Sequence, residues 1–305
     1  MVASHPSTRP ALSWCIVGRG AIGLLASARL QLAGYLPSLW LKHPQSLQLT
    51  FTAINQHQQL LLLPQTTDHF IQRVFVPVKA YDVISAVTQI IPALSPSAQL
   101  VISHNGMVPH QPLLQQLQPG QGLWFLSTSQ AAYKPAVDQV IHSGEGKSYL
   151  AKLTEAASDD QHIINAMTAA LGPLEVVADI YPLLWHKLAI NAAINPLSAL
   201  ENCRNGQLSD PQYLPQITAL VSEVCQVATA LGYPMQPAST LTEVYRVIAA
   251  TAGNFSSMQQ DVAAGRQTEI NAISGYICQQ AAQLQLAVPA NQNMLSQILA
   301  LTAAN

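Results

Sequence analysis

Charge is what this chain has least of. Asp, Glu, Lys and Arg together make up 9% of 305 residues, 13 basic against 15 acidic, for a net charge of −2. No basic block is present, so nucleic acid is not an expected partner. Cysteine is also sparse. Cys15, Cys203, Cys225 and Cys278 are scattered with no CxxC pair, which points away from a disulfide framework and toward a reduced, cytoplasmic setting. The nine histidines form no HxxxH or HExxH pattern, so no metal site is expected. Long apolar runs are missing too. "QLLLLPQ" is short and stopped by proline, and no stretch has the length of a membrane span. The start, "MVASHPSTRPALSW", lacks the apolar core and small-residue cleavage site of a signal peptide, and its first eleven residues read as a flexible extension. What the chain does have is apolar bulk, 49%, with glutamine supplying much of the polar surface.

The first half alternates between short β-branched runs and helical spacing. "ALSWCIVG", "YLPSLWLKH", "LQLTFTAI", "HQQLLLL", "IQRVFVPV", "AQLVISH" and "GLWFLSTSQAAY" read as strands. "AIGLLASARLQLAG", "AYDVISAVTQIIPAL", "HQPLLQQLQ" and "DDQHIINAMTAALG" read as helices, and "DQVIHSG" with "KSYLAKL" as a late hairpin. Alternation of this kind implies a parallel sheet covered on both faces. From about Tyr181 the texture is helical only, in "YPLLWHKLAINAAINPLSAL", "PQYLPQITALVSEVCQVATALG", "PASTLTEVYRVIAATA", "SSMQQDVAAG" and "TEINAISGYICQQAAQLQLA". The expected organisation is an α/β, Rossmann-type dinucleotide-binding domain over 1–178, with 1–11 as the extension, followed by an all-α domain over 179–305.

"IVGRGAIG" places Gly18, Gly20 and Gly23 in G-x-G-x-x-G after a strand and at the opening of a helix. The first glycine makes the tight turn, the second admits a pyrophosphate to the backbone, and the third lets helix and strand pack closely. The helix N-terminus then favours an anion. NAD-binding versions usually carry an acid about 20 residues on. Here no Asp or Glu precedes Asp68, and the second strand ends in Lys42 and His43. A cation at that place suits a 2′-phosphate, so NADPH is the expected cofactor, with Arg19 in the loop as a second cation.

The helix "LWHKLAINAAINPLSALEN" carries Lys187, Asn191 and Asn195 four residues apart. Four residues advance a helix by only about 40° beyond a full turn, so the three form one stripe. A solvent-facing stripe is the plain alternative. Two facts oppose it: asparagine is roughly 0.6 kcal/mol worse than alanine in a helix, and the flanks are apolar nearly all round. Buried amides and a buried ammonium need partners, and a polar ligand in a cleft supplies them. Ser256 and Ser257 each stand three residues before a glutamine, a capping-box spacing. Thr268 reads as a helix cap, with Glu269 in the first turn after it.

With "GRGAIG", "VKAYDV", "HNGM", "WHKLAINAAINPLSALENCRNG" and "SSMQQDVAAGRQTEI" in order, the chain resembles the ketopantoate reductases (2-dehydropantoate 2-reductases of pantothenate biosynthesis, on the route to coenzyme A) over nearly its whole length. The resemblance implies an active site between a Rossmann-type and a helical domain, and NADPH-dependent reduction of a 2-oxo acid to the hydroxy acid. By the same resemblance Lys187 matches the proton-donating lysine and Glu269 the active-site glutamate, which also borders the cofactor. Asn191, Asn195, Asn205 and Ser257 match substrate contacts. Lys79 and Asn105 match the nicotinamide side, Asn105 facing the substrate as well. Gly18, Arg19, Gly20, Ala21, Ile22, Gly23, Lys42 and Ala132 match cofactor contacts. The chain departs from the family at Pro77, which predicts a bulge before Lys79, and at Val108, which stands where glycine is common. Two other readings are a paralogue acting on another branched 2-oxo acid and a non-catalytic NADPH-binding regulatory module. The oligomeric state stays open, a homodimer among the options.

Overall fold

The computed structural model describes residues 12–67, 69–156 and 160–303; the expected N-terminal extension lies outside the described residues. The chain separates into two compact units. One takes the chain up to His104 and again His110–Ile180; the other takes Asn105–Pro109 and the chain from Tyr181 onward. The sequence expectation set a single boundary at 178/179.

The first unit opens with β1 (Ser13–Val17), α1 (Ala21–Leu32) and β2 (Leu36–Trp40), continues through β3 (Leu47–Thr52), β4 (Gln58–Leu63) and β5 (Ile71–Pro77), and reaches α2 (Val83–Ile90) and β6 (Leu94–Ser103). After the second unit's short insertion come α3 (Gln111–Leu114), β7 (Gly122–Thr128), β8 (Ala131–Tyr133), β9 (Gln139–Gly144), β10 (Ser148–Lys152), α4 (Asp160–Leu171) and β11 (Leu174–Val176). Seven strands make one sheet in the order β11-β10-β7-β6-β5-β1-β2. Every neighbouring pair is parallel except β7 with β10. The central strands are apolar without alternation because both faces are covered: every residue of β7 before Thr128 is buried. A core runs from Trp14 and Ile16 through Leu24, Leu25 and Leu30 of α1 to Phe51 and Val140.

Four local expectations are corrected. β3 and β4 do not extend the parallel sheet; they pair antiparallel in a separate four-stranded sheet of order β4-β3-β9-β8. The expected late hairpin does not form. β9 joins the small sheet and β10 the large one, because β9 pairs with β3 and β8 while β10 pairs with β7. The helix expected over "HQPLLQQLQ" shrinks to the single turn α3. The bulge expected before Lys79 is also absent: Pro77 keeps register with Ser103, and the irregularity in β5 falls earlier, between Ile71 and Arg73.

The second unit is helical. α5 (Tyr181–Leu200) packs against α6 (Leu214–Ala230), α7 (Pro237–Ala250), α8 (Ser257–Ala263) and α10 (Pro289–Ala303), with α9 (Ser274–Gln283) beside α10. α10 escaped the sequence reading. Its start is held by a partner remote in sequence: Glu223 of α6 accepts from the Ala290 and Asn291 backbone N–H groups at 2.8 and 2.9 Å and from the Asn291 side chain at 2.8 Å. These first-turn N–H groups have no intrahelical acceptor, and a carboxylate there also meets the positive end of the helix dipole. The four cysteines are free thiols. No helix among the described residues is long and apolar enough to cross a membrane, and none of their His, Cys, Asp and Glu side chains group to hold a metal.

Replacing Glu223 by alanine leaves these buried donors unpaired and is expected to lower unfolding stability by about 2–4 kcal/mol. Urea unfolding checks this; a Glu223→Ala midpoint equal to that of the unsubstituted chain rules out the cap.

Candidate active site

In the first unit the site begins where β1 ends. Gly18 adopts φ +84°, a conformation other residues reach only under strain, and its N–H bonds the Trp40 carbonyl at 2.9 Å. Gly20 caps α1, and no side chain bonds the first turn, so the turn that opens with Ala21 and Ile22 presents its backbone N–H groups uncapped. A side chain at Gly23 would lie 3.1 Å from the Pro77 ring, so the third glycine is needed for close helix–strand contact. Pro77, a departure in sequence, is thus part of how the loop is packed.

The crevice beside this loop encloses about 300 Å³. Lys42 and Arg19 both line it, exposed, and their cationic groups make no hydrogen bond or ion pair among the described residues. His43 joins them. Apolar walls come from Trp40, Leu41, Val78 and Ala86. Sequence reasoning missed Asp82, Ser85 and Gln89, which α2 and the turn before it bring to the same crevice. The signal is in the sequence, since Asp82 stands in "VKAYDV", three residues after Lys79. Lys79 stands outside these walls, half-buried at the head of the 3-10 turn Ala80–Asp82. Ala132 also stands outside them, on β8 opposite His142; two residues on, Lys134 donates to the Arg19 carbonyl at 2.9 Å. An uncapped helix start, a glycine turn and unpaired cations beside an apolar slot fit a dinucleotide.

In the second unit α5 carries the stripe. Lys187 and Asn191 are half-buried and Asn195 is only 9% exposed, so the stripe is not a solvent face. Burial pushes the Lys187 ammonium down to about 8, and the Glu269 carboxylate acts against that shift. Glu269 is itself buried and accepts from the Asn105 amide at 3.3 Å. It heads the 3-10 turn Ile270–Ala272 and has no side-chain cap, so the expected Thr268 cap with Glu269 in the first turn is corrected: Glu269 faces Asn105 instead. Asn105 is placed by its neighbours. Gly106 takes φ +68° against the Ala272 backbone, and the Met107 N–H bonds the Ala272 carbonyl at 2.7 Å.

The structure therefore brings Asn105, Lys187 and Glu269 together. The side-chain amides of Asn191 and Asn195 make no hydrogen bond among the described residues. Asn205 donates to Thr251 at 2.9 Å, while its buried carbonyl oxygen has no partner. Ser257 is exposed at the start of α8; the helix cap is Ser256, which accepts from the Gln259 N–H and lies 2.7 Å from Ser198 on α5. That bond fastens the start of α8 to α5 one turn beyond Asn195.

Residues 14–155 match the model of the family "Ketopantoate reductase PanE/ApbA", and residues 179–302 match its C-terminal part. A 2-dehydropantoate 2-reductase of Vibrio cholerae is 34% identical over 286 residues, 93% of this chain and 95% of that protein. A ketopantoate reductase of the same family from Ralstonia eutropha superposes with a TM-score of 0.85 at 24% identity, covering 96% of this chain and 99% of that one. A D-mandelate dehydrogenase structure with NADH and anilino(oxo)acetate superposes at 0.86, covering 96% and 99%, at 18% identity, a likeness of fold.

A Gly106→Ala substitution puts a methyl group into the Ala272 carbonyl and forces alanine into left-handed backbone. Stability is expected to drop by about 2–4 kcal/mol, measured by denaturant unfolding. A loss below a few tenths of a kcal/mol contradicts the stitch between Gly106 and Ala272.

Proposed function

The chain belongs to the ketopantoate reductase family, and from that footing we propose that it reduces the 2-oxo group of 2-dehydropantoate to give pantoate, with NADPH as cofactor, in the cytoplasmic synthesis of pantothenate. The observation that carries this reading is the α5 stripe: an ammonium with a lowered pKa beside a buried carboxylate, followed by two amides with unused hydrogen-bonding capacity. A sensor of NADPH has no use for such a proton donor.

The residues divide the work as follows. Gly18, Gly20 and the first turn of α1 hold the pyrophosphate, and Lys42 with Arg19 the 2′-phosphate. The dinucleotide, when bound, supplies hydride to the carbonyl carbon. Negative charge then builds on the substrate oxygen, where Lys187 stabilises it and donates a proton. With a pKa of about 8, Lys187 is mostly charged at pH 7 and gives up its proton more readily than an exposed lysine. Glu269 holds the ammonium, and Asn105 holds Glu269. Asn191 and Asn195 bond the carboxylate and hydroxyl of the substrate without adding charge, joined by Asn205 and Ser257. Likeness of fold to the D-mandelate dehydrogenase keeps a second substrate in view, another 2-oxo acid on the same scaffold. Steady-state NADPH oxidation over a panel of 2-oxo acids decides. The highest kcat/KM on 2-dehydropantoate is expected; a tenfold higher value on another acid moves the chain to the second reading, and no turnover on any acid refutes both.

Lys187→Ala is expected to lower kcat by roughly 10²–10⁴-fold with NADPH affinity little changed. In the unsubstituted enzyme, Lys187 is protonated below its pKa, so kcat/KM for reduction should fall as pH rises through about 8. Near-normal turnover by the variant, or a flat profile up to pH 10, removes Lys187 from the proton-donor role.

For the cofactor, NADPH is expected to bind more tightly than NADH by about 10- to 100-fold, the range of a charge-assisted hydrogen bond. Lys42→Ala should narrow the gap without closing it, since Arg19 lines the same crevice. Calorimetric titration with both cofactors checks this, and equal affinities in the unsubstituted chain overturn it.

A further inference from the structure

The crevice at the carboxyl ends of β1, β2 and β5 has two chemically different sides. β1 lies between the other two strands, so its glycine loop sits in the middle. Lys42 and His43 enter from beyond β2. Asp82 enters from beyond β5, at the head of α2, with Val78 and Ala86 as its apolar neighbours on that side. The Asp82 carboxylate is not used by the fold. It does not cap α2, and it makes no hydrogen bond or ion pair among the described residues. The Ser85 hydroxyl turns instead to the Asp82 backbone carbonyl at 3.0 Å.

An ionised carboxylate only accepts hydrogen bonds, so whatever meets it must donate. A phosphate there is repelled, and a 2′-phosphate is drawn to Lys42 on the opposite side. The ribose that carries the phosphate is held near Lys42 with it. On the β5 side Val78 and Ala86 offer apolar surface that suits the face of a base. The donor on the rim of adenine is its exocyclic amine. We propose that Asp82 accepts a hydrogen bond from that amine and so sets the base specificity of the cofactor site. This rests on the proposed function, in that a phosphorylated adenine dinucleotide is the cofactor.

The test is calorimetric titration of the full chain with NADPH, NADH and the hypoxanthine analogue of NADPH, in which a carbonyl replaces the amine. The unsubstituted chain should bind NADPH about tenfold more tightly than the analogue. In Asp82→Asn, whose amide presents a donor or an acceptor, that ratio should fall toward one while the ratio of NADPH to NADH stays. Because the carboxylate caps nothing, the variant is expected to fold. Equal binding of NADPH and its analogue by the unsubstituted chain overturns this inference alone. So does an Asn variant that changes the NADPH-to-NADH ratio and keeps the base ratio, since the carboxylate would then face the ribose. Failure of both NADPH and NADH to bind overturns the proposed function and this inference together.

Discussion

An ammonium set into an apolar helix demands a counter-charge, and in this protein Glu269 supplies it to Lys187. The placing of Asn105 follows from that demand. The carboxylate is itself buried, so it needs donors of its own, and Asn105 is one. Asn105 in turn belongs to a five-residue segment that leaves the first sheet after β6 and is built into the helical unit. The pair is poised because burial and Coulomb attraction oppose each other: the first pushes the lysine toward neutrality, the second keeps it charged at neutral pH.

The glycine loop obeys a different constraint, that of space. Two of its glycines answer to a specific constraint: Gly18 to its left-handed backbone, Gly23 to the Pro77 ring. The crevice beside it gathers charge that the chain has little of elsewhere, with Arg19, Lys42 and Asp82 among its walls. Against a background this neutral, single side chains such as Lys42 or Asp82 set the local field, since few other charges mask them.

What could be read in advance was local. The turn-and-helix spacing of "GRGAIG" and the fourfold stripe of α5 are set within a few residues of sequence, and both stand where they were expected. The strands were also recognisable, but not their partners. β9 and β10 are separated by only a short turn, yet they serve different sheets, since pairing is decided by β3 and β7 far away in the chain. The cap on α10 comes from Glu223, 67 and 68 residues upstream, and no spacing rule covers that. Glu269 shows the same limit on a smaller scale. An acid near the start of a helical turn is normally explained by the helix dipole, and only the tertiary fold shows Asn105 as its partner. Asp82 is the opposite case: it stands in the same short motif as Lys79, and its nearness to the glycine loop comes only from the pairing of β1 with β5.

The stitch between Gly106–Met107 and Ala272 has a bearing on how the protein is made. Asn105 and Glu269 are 164 residues apart. A ribosome completes the donor segment long before its acceptor exists. Closing a loop of that length costs about 4–5 kcal/mol of chain entropy, offset only once the helices around Ala272 have formed. A fragment beginning at Tyr181 lacks the Met107 N–H that the Ala272 carbonyl receives in the whole chain, and with it the Asn105 amide that donates to Glu269.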